Sequence, residues 1–198
     1  MTLDRIHVIL IVLVLLLVIL YYRNYTIEKY SDYNTNKDLI KLWVHHLLYT
    51  RLVVMAFLSD DKSINSLMNR LMKNQHDIGD LMGIKYGSKV GHTITNELVK
   101  HITIAGSVLA AVKANDKAAQ TKSIKEFYDN ANNIGVYLDK LMYTNVFAHH
   151  MKMHIETLVN DVIAYSTKQY DSDIKLLDTY VNAGLDMAFD MAQPKIYI

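Results

Sequence analysis

The chain has 198 residues, a formal net charge of +1, a single proline and no cysteine. The near-neutral balance gives no electrostatic footprint for nucleic acid, and the missing thiols exclude disulfides, thiolate catalysis and zinc–thiolate sites. A length of this order, 51% hydrophobic, supports one compact domain with its own core beyond any apolar terminus.

The first element is an apolar run, IHVILIVLVLLLVILYY, from Ile6 to Tyr22, with His7 at its edge as the one polar residue other than the closing tyrosines. As a helix it rises about 25 Å, close to the hydrocarbon thickness of a bilayer. Tyr21 and Tyr22, rather than small residues of a cleavage site, follow the apolar stretch, and tyrosines suit the membrane–water interface. The expectation is a single-pass, uncleaved anchor over residues 1–22 and a membrane location. Arg23, Lys29, Lys37 and Lys41 follow it, against Arg5 beside Asp4 in front, so the rule of positive charges predicts a cytoplasmic C-terminal domain.

Residues 23–35 are polar with scattered tyrosines and read as a juxtamembrane linker. Residues 36–193 read as an all-α domain, an antiparallel bundle of about six helices in the manner of a four-helix bundle, because apolar residues recur at i, i+3 and i+4 and no strand-like alternation appears. The first helix of this domain is expected from the TNKD capping box at Thr35 to about Leu58. The second runs from Asp60–Asp61 to Gly83, and a turn at Tyr86–Gly87 leads to a third with Ser88 as cap, ending near Asn115. Asp116 caps a fourth towards Met142. A fifth spans about Asn145–Lys168 and a sixth about Asp171–Ala192, closed by Pro194.

Three of these helices carry a histidine inside the apolar stripe. His46 falls in line with Leu39, Trp43, Thr50, Val53 and Phe57. His101 lies among Ile94, Leu98, Ala105 and Val108, and His154 among Phe147, Met151 and Leu158. A buried imidazole without a partner costs about 2 kcal/mol or more, so each needs a hydrogen bond or a metal. Inward histidine and carboxylate groups from facing helices are how bundles build metal sites. Asp77, in NQHDIG, and Asp173, in YDSDIK, lie beside the stripes of the second and sixth helices. The candidate ligands are therefore His46, Asp77, His101, His154 and Asp173, with Glu97 and His150 as further candidates. Imidazole and carboxylate without sulfur suit zinc, iron, manganese or nickel. A metal-free polar network, with Asn74 and Gln75 making interhelical contacts, accounts for the same residues.

HHMKMHIE, 149–156, lacks the glutamate that HExxH requires, since Met151 stands there, and a metalloprotease is excluded. No glycine-rich phosphate loop or serine-nucleophile context is present, and no catalytic residue is assigned. LWVHHLLYT before NQHDIG, and HHMKMHIETL before YDSDIK, suggest an internal duplication.

The blocks LWVHHLLYTR, NQHDIG, YG, HITIA, MKMH and SDIKLLD, in that order, resemble a family of small helical bacterial proteins with L-W-x-x-H-x-x-W-T-R, N-Q-x-D-I-G, Y-G, H-I-x-I-A and M-x-x-H motifs. The resemblance covers roughly residues 40–190. It implies a helical domain, with His46, Asn74, Gln75, Asp77, His101, His154 and Asp173 at matching positions, and it supplies no reaction. The family places histidine near positions 181–183, where Val181, Asn182 and Ala183 stand here. With the anchor and an AT-rich style of composition, the chain is similar to a gene product of a large DNA virus. Two functions follow as expectations: a membrane-anchored bundle binding a divalent metal, or a self-associating structural component of a membrane or viral particle.

Overall fold

The computed structural model describes residues 3–192, with the side chains of 3–6, 8, 9 and 28–33 set aside. Six α-helices and no strand occur among the described residues: α1 (Leu3–Leu58), α2 (Ile64–Tyr86), α3 (Ser88–Lys113), α4 (Lys117–Met142), α5 (Phe147–Ser166) and α6 (Tyr170–Met191). The all-helical architecture is the one expected. Pro194 lies outside the described residues.

The expected break at 23–35 is absent: α1 runs unbroken for 56 residues. The cause is local. No glycine or proline occurs before Gly79, so nothing in the polar segment stops a helix nucleated on both sides. Thr35 is consequently an interior residue of α1 rather than its start. The window Leu10–Ile27 has a mean hydropathy of 2.0 and none of it is buried, whereas the window Asn34–Leu58 is 44% buried in the bundle. Each is long and apolar enough to cross a bilayer by length and composition.

The connections are short and their chemistry is local. Gly87 joins α2 to α3 at φ 99°, a backbone conformation open to glycine. Asp116 caps α4 by accepting from the Ala119 amide. Val146, at the start of α5, offers no cap; Asp139 of α4 accepts instead from the Phe147 and Ala148 amides at 2.9 and 3.0 Å.

The helices form a closed ring of three hairpins. Pairs α1–α2, α3–α4 and α5–α6 pack side by side, and the ring closes through α2–α3, α4–α5 and α6–α1. Only α1, α3 and α5 also meet one another, so they are the inner helices and α2, α4 and α6 the outer ones. Each closing seam has a glycine from its outer helix. A Cβ on Gly79 would collide with Thr95 and the Gly91 carbonyl, and one on Gly135 would stand 2.5 Å from the Ala148 Cα. One on Gly184 would stand 2.5 Å from a Leu47 methyl. The repeat is thus threefold. NQHDIG (74–79) corresponds to NANNIG (130–135); of the two-part echo in the sequence, the histidine helices α1 and α5 are equivalent in the ring, whereas YDSDIK opens α6, well before its seam glycine Gly184.

Candidate functional site

The threefold arrangement puts one histidine of each inner helix into the middle of the ring. His46, His101 and His154 are 2%, 2% and 1% exposed. The His154 ring lies between the other two, with centroids 5.9 Å from His46 and 6.2 Å from His101. Their convergence follows from the stripes: α1, α3 and α5 are buried along the face that carries them, and equivalent hairpins place that face at the same level.

The outer helices supply partners. Gln75 Nε2 donates to Leu71 O at 2.7 Å, which fixes the amide orientation, and stands 3.3 Å from His46 Nδ1. That ring nitrogen is therefore the acceptor, and the proton sits on the other one. In the second hairpin Asn130 Nδ2 donates to Glu97 Oε2 at 2.9 Å, so its oxygen faces the histidine, and His101 Nδ1 donates to it at 2.7 Å. His46 and His101 thus hold opposite tautomers. In the third hairpin an aromatic replaces the amide. Tyr180, fully buried, stacks on His154 at 4.9 Å, and His154 Nδ1 has no hydrogen-bond partner.

Unpartnered polar atoms gather around these rings. Trp43 Nε1 and Gln75 Oε1 are also buried without a partner, and the Thr50 and Tyr180 hydroxyls have only each other. The Trp43 ring meets His46 edge-on at 5.2 Å. Such an atom costs about 1–3 kcal/mol when nothing satisfies it, so a cluster of this kind is a place for a small polar guest.

All three imidazoles are held neutral. Burial lowers His46 to about 3, helped by the neighbouring His101, and lowers His101 to about 4. Burial, then His46 and His101, lowers His154 well below the usual imidazole range. A neutral imidazole is the metal-ligating form. Two imidazoles on one tetrahedral ion, at about 2.0–2.1 Å from each nitrogen, put their ring centroids about 5 Å apart. The observed separations are wider, and among the described residues no set of three or more histidine, aspartate or glutamate side chains is placed to hold a metal ion.

The other sequence candidates lie elsewhere. Asp77 is half-buried on the outside of α2, held by Lys73 and within 3.9 Å of Arg70; its position beside the stripe turns it to solvent. Asp173 is buried, but it takes two hydrogen bonds from Arg51, at 2.7 and 2.8 Å, and the same guanidinium reaches Asp161 at 3.0 Å. The Arg51 group also covers the Tyr165 ring at 4.9 Å. Burial and the Asp173 carboxyl raise Asp161, against the pull of Arg51; burial acts to raise Asp173 too, but its hydrogen bonds from Arg51 and Asp161 lower it. His150 pairs with Asp190 at 2.8 Å. Glu97 does serve the site, through Asn130.

Sequence reasoning missed Asn130, Tyr180, Arg51 and Asp161. The signal for Asn130 was the match of NANNIG to NQHDIG; for the others no short motif exists, because their partners are distant in the chain. No family model, curated protein or solved structure matches the chain.

Proposed function

We propose that this chain is a membrane-anchored helical bundle that takes up one divalent metal ion between its inner helices, with His46, His101 and His154 as the ligands. The observation that carries the reading is the meeting of three neutral imidazoles from three separate helices amid unpartnered buried polar atoms. Asn130 and Glu97 orient His101, the supporting role such groups take around metal sites, whereas His46 ligates only once Gln75 Nε2 releases its Nδ1 or the ring proton moves there. Asp77 and Asp173 are left out of the ligand set because each is engaged by a cation of its own. Ligation requires His46 and His101 each to close on His154 by about 1 Å, and to close on one another across it. An all-nitrogen set accommodates zinc, iron, manganese or nickel.

The wider ring spacing favours a second reading, a metal-free structural module that self-associates at a membrane, for instance within a viral particle. Thermal melting of the stripped full chain, with each metal added and then chelated, separates the two. The metal reading expects a rise in Tm that chelator reverses and that is lost in His101→Gln. Melting curves that ignore both metal and chelator overturn it.

The anchor is assigned to the unburied apolar window Leu10–Ile27, with Tyr21, Tyr22 and Tyr25 at its end. Leu13→Arg with Leu17→Arg costs an anchored helix about 5–7 kcal/mol of insertion. The doubly substituted chain is expected in the soluble fraction; unchanged membrane sedimentation that resists carbonate contradicts the assignment.

A further inference from the structure

A buried site needs a way in, and the three seams of the ring are not alike. In α2–α3 and α4–α5 backbone meets backbone: Gly91 lies against Gly79 and Gly83, and Gly135 against Ala148. A seam of that kind opens only by moving whole helices. In α6–α1 the glycine meets a flexible side chain instead, Leu47 lying over Gly184. This is also the least extensive of the helix contacts that close the ring.

The same seam is hollowed on its outer side. A groove of about 480 Å³ lies between Val44, Leu47 and Leu48 of α1 and Leu177, Val181 and Leu185 of α6. Leu47 follows His46 in the chain, and on its own helix face it is flanked by Trp43 one turn before and Thr50 one turn after. Gly184 lies one turn after Tyr180. Trp43 carries one of the unpartnered buried atoms, and the Thr50 and Tyr180 hydroxyls have only each other. Leu47 is thus the groove residue that packs on the α6 glycine and adjoins the polar cluster. The Arg51 group also lines the groove, compensated by Asp161 and Asp173, and Asp178 adds a further carboxyl at the rim. That balance favours cations over anions.

We propose that the α1–α6 seam is the portal to the imidazole cluster and that Leu47 is its gate, swinging off Gly184 to admit a small cation and its water. This rests on the metal reading for the identity of the guest, and the test is built so that the two fail separately.

Trp43 is the sole tryptophan, it lies inside the gate, and the chain has no cysteine. Acrylamide quenching of Trp43 fluorescence in the full chain in nanodiscs therefore reports access whether or not a metal binds. Val44→Cys with Val181→Cys places two thiols on the two walls of the groove, to be bridged by a short bis-maleimide or capped singly with N-ethylmaleimide. Bridging is expected to lower the quenching constant about threefold or more relative to capping, as blocking a local opening should. Leu47→Ala is expected to raise it. Equal quenching in bridged and capped protein, with Leu47→Ala unchanged, overturns the portal. With zinc as probe, slower uptake at unchanged capacity after bridging supports both proposals. Quenching that falls on bridging in a chain that binds no metal keeps the portal and removes the metal reading.

Discussion

Two buried polar clusters occupy neighbouring levels of one bundle, and they solve burial in opposite ways. Arg51 and Asp173 are charged, Asp161 holds its proton more readily beside them, and the hydrogen bonds of all three are made among themselves. The imidazole cluster is neutral and leaves three of its surrounding polar atoms without a hydrogen bond, Trp43 Nε1, Gln75 Oε1 and His154 Nδ1, while the Thr50 and Tyr180 hydroxyls have only each other. A cluster that satisfies itself has a sufficient role in joining helices, here α1, α5 and α6. One that does not satisfy itself has capacity left for something else.

The contrast breaks most visibly at Arg51. Arg51→Ala leaves two carboxyl groups facing each other in the interior and is expected to cost about 3–5 kcal/mol in chemical denaturation. Adding Asp161→Asn and Asp173→Asn should recover most of that loss, because the penalty belongs to the unpaired charges. A triple variant as unstable as the single one would contradict the assignment of this cluster to stability alone.

Next in size is ligand-dependent stabilisation. A metal at a hundred times its Kd adds about 2.7 kcal/mol, and the account expects this gain in the parent and in Arg51→Met but its loss in His154→Gln. A gain that survives His154→Gln would place the metal outside the imidazoles.

Acidity sharpens the comparison further. The folded pKa values of His46, His101 and His154 lie below the unfolded value of 6.5. Above pH 6.5 both states are neutral and no linkage arises. As pH falls from 6.5 towards 4, the unfolded chain takes up protons that the folded one refuses, so stability falls, by up to about 1.4 kcal/mol per pH unit for each histidine. Asp161 acts in the other sense: its carboxyl holds a proton to higher pH when folded, and this contribution is lost as pH rises. The three histidines outweigh it, and urea midpoints should drop on acidification, less steeply in His101→Gln. A flat profile from pH 7 to 5 would contradict the buried neutral state.

The smallest effect is expected at Asp77. Its contacts to Lys73 and Arg70 are partly solvated, and Asp77→Asn should change stability by about 0.5 kcal/mol or less, with no effect on metal binding. Loss of metal in that variant would return Asp77 to the ligand set.

The three histidines were legible because helical periodicity alone decides which face a residue takes, and apolar neighbours at i±3 and i±4 fix it without knowledge of the fold. Asp77 and Asp173 lay beside such stripes, where periodicity does not separate core from surface. One turned to surface cations and the other to Arg51, 122 positions away in the chain. Tyr180 had no signal, being one tyrosine among 14. The continuity of α1 is hidden for a different reason: polarity alone reads as a linker, yet helix interiors tolerate polar residues and are ended by glycine and proline, which that stretch lacks. The threefold repeat is visible in NANNIG, but its third copy has diverged to NAG at 182–184, where the seam glycine and the asparagine two before it remain.

The most direct measurement is the metal content of the purified full chain, by elemental analysis after exchange into metal-depleted buffer with zinc, iron, manganese or nickel supplied in turn. The account predicts about one ion per chain for one of these metals, falling to trace in His46→Gln, His101→Gln and His154→Gln alike. Trace metal in the folded parent under every loading condition, or a full ion retained in all three variants, would contradict it.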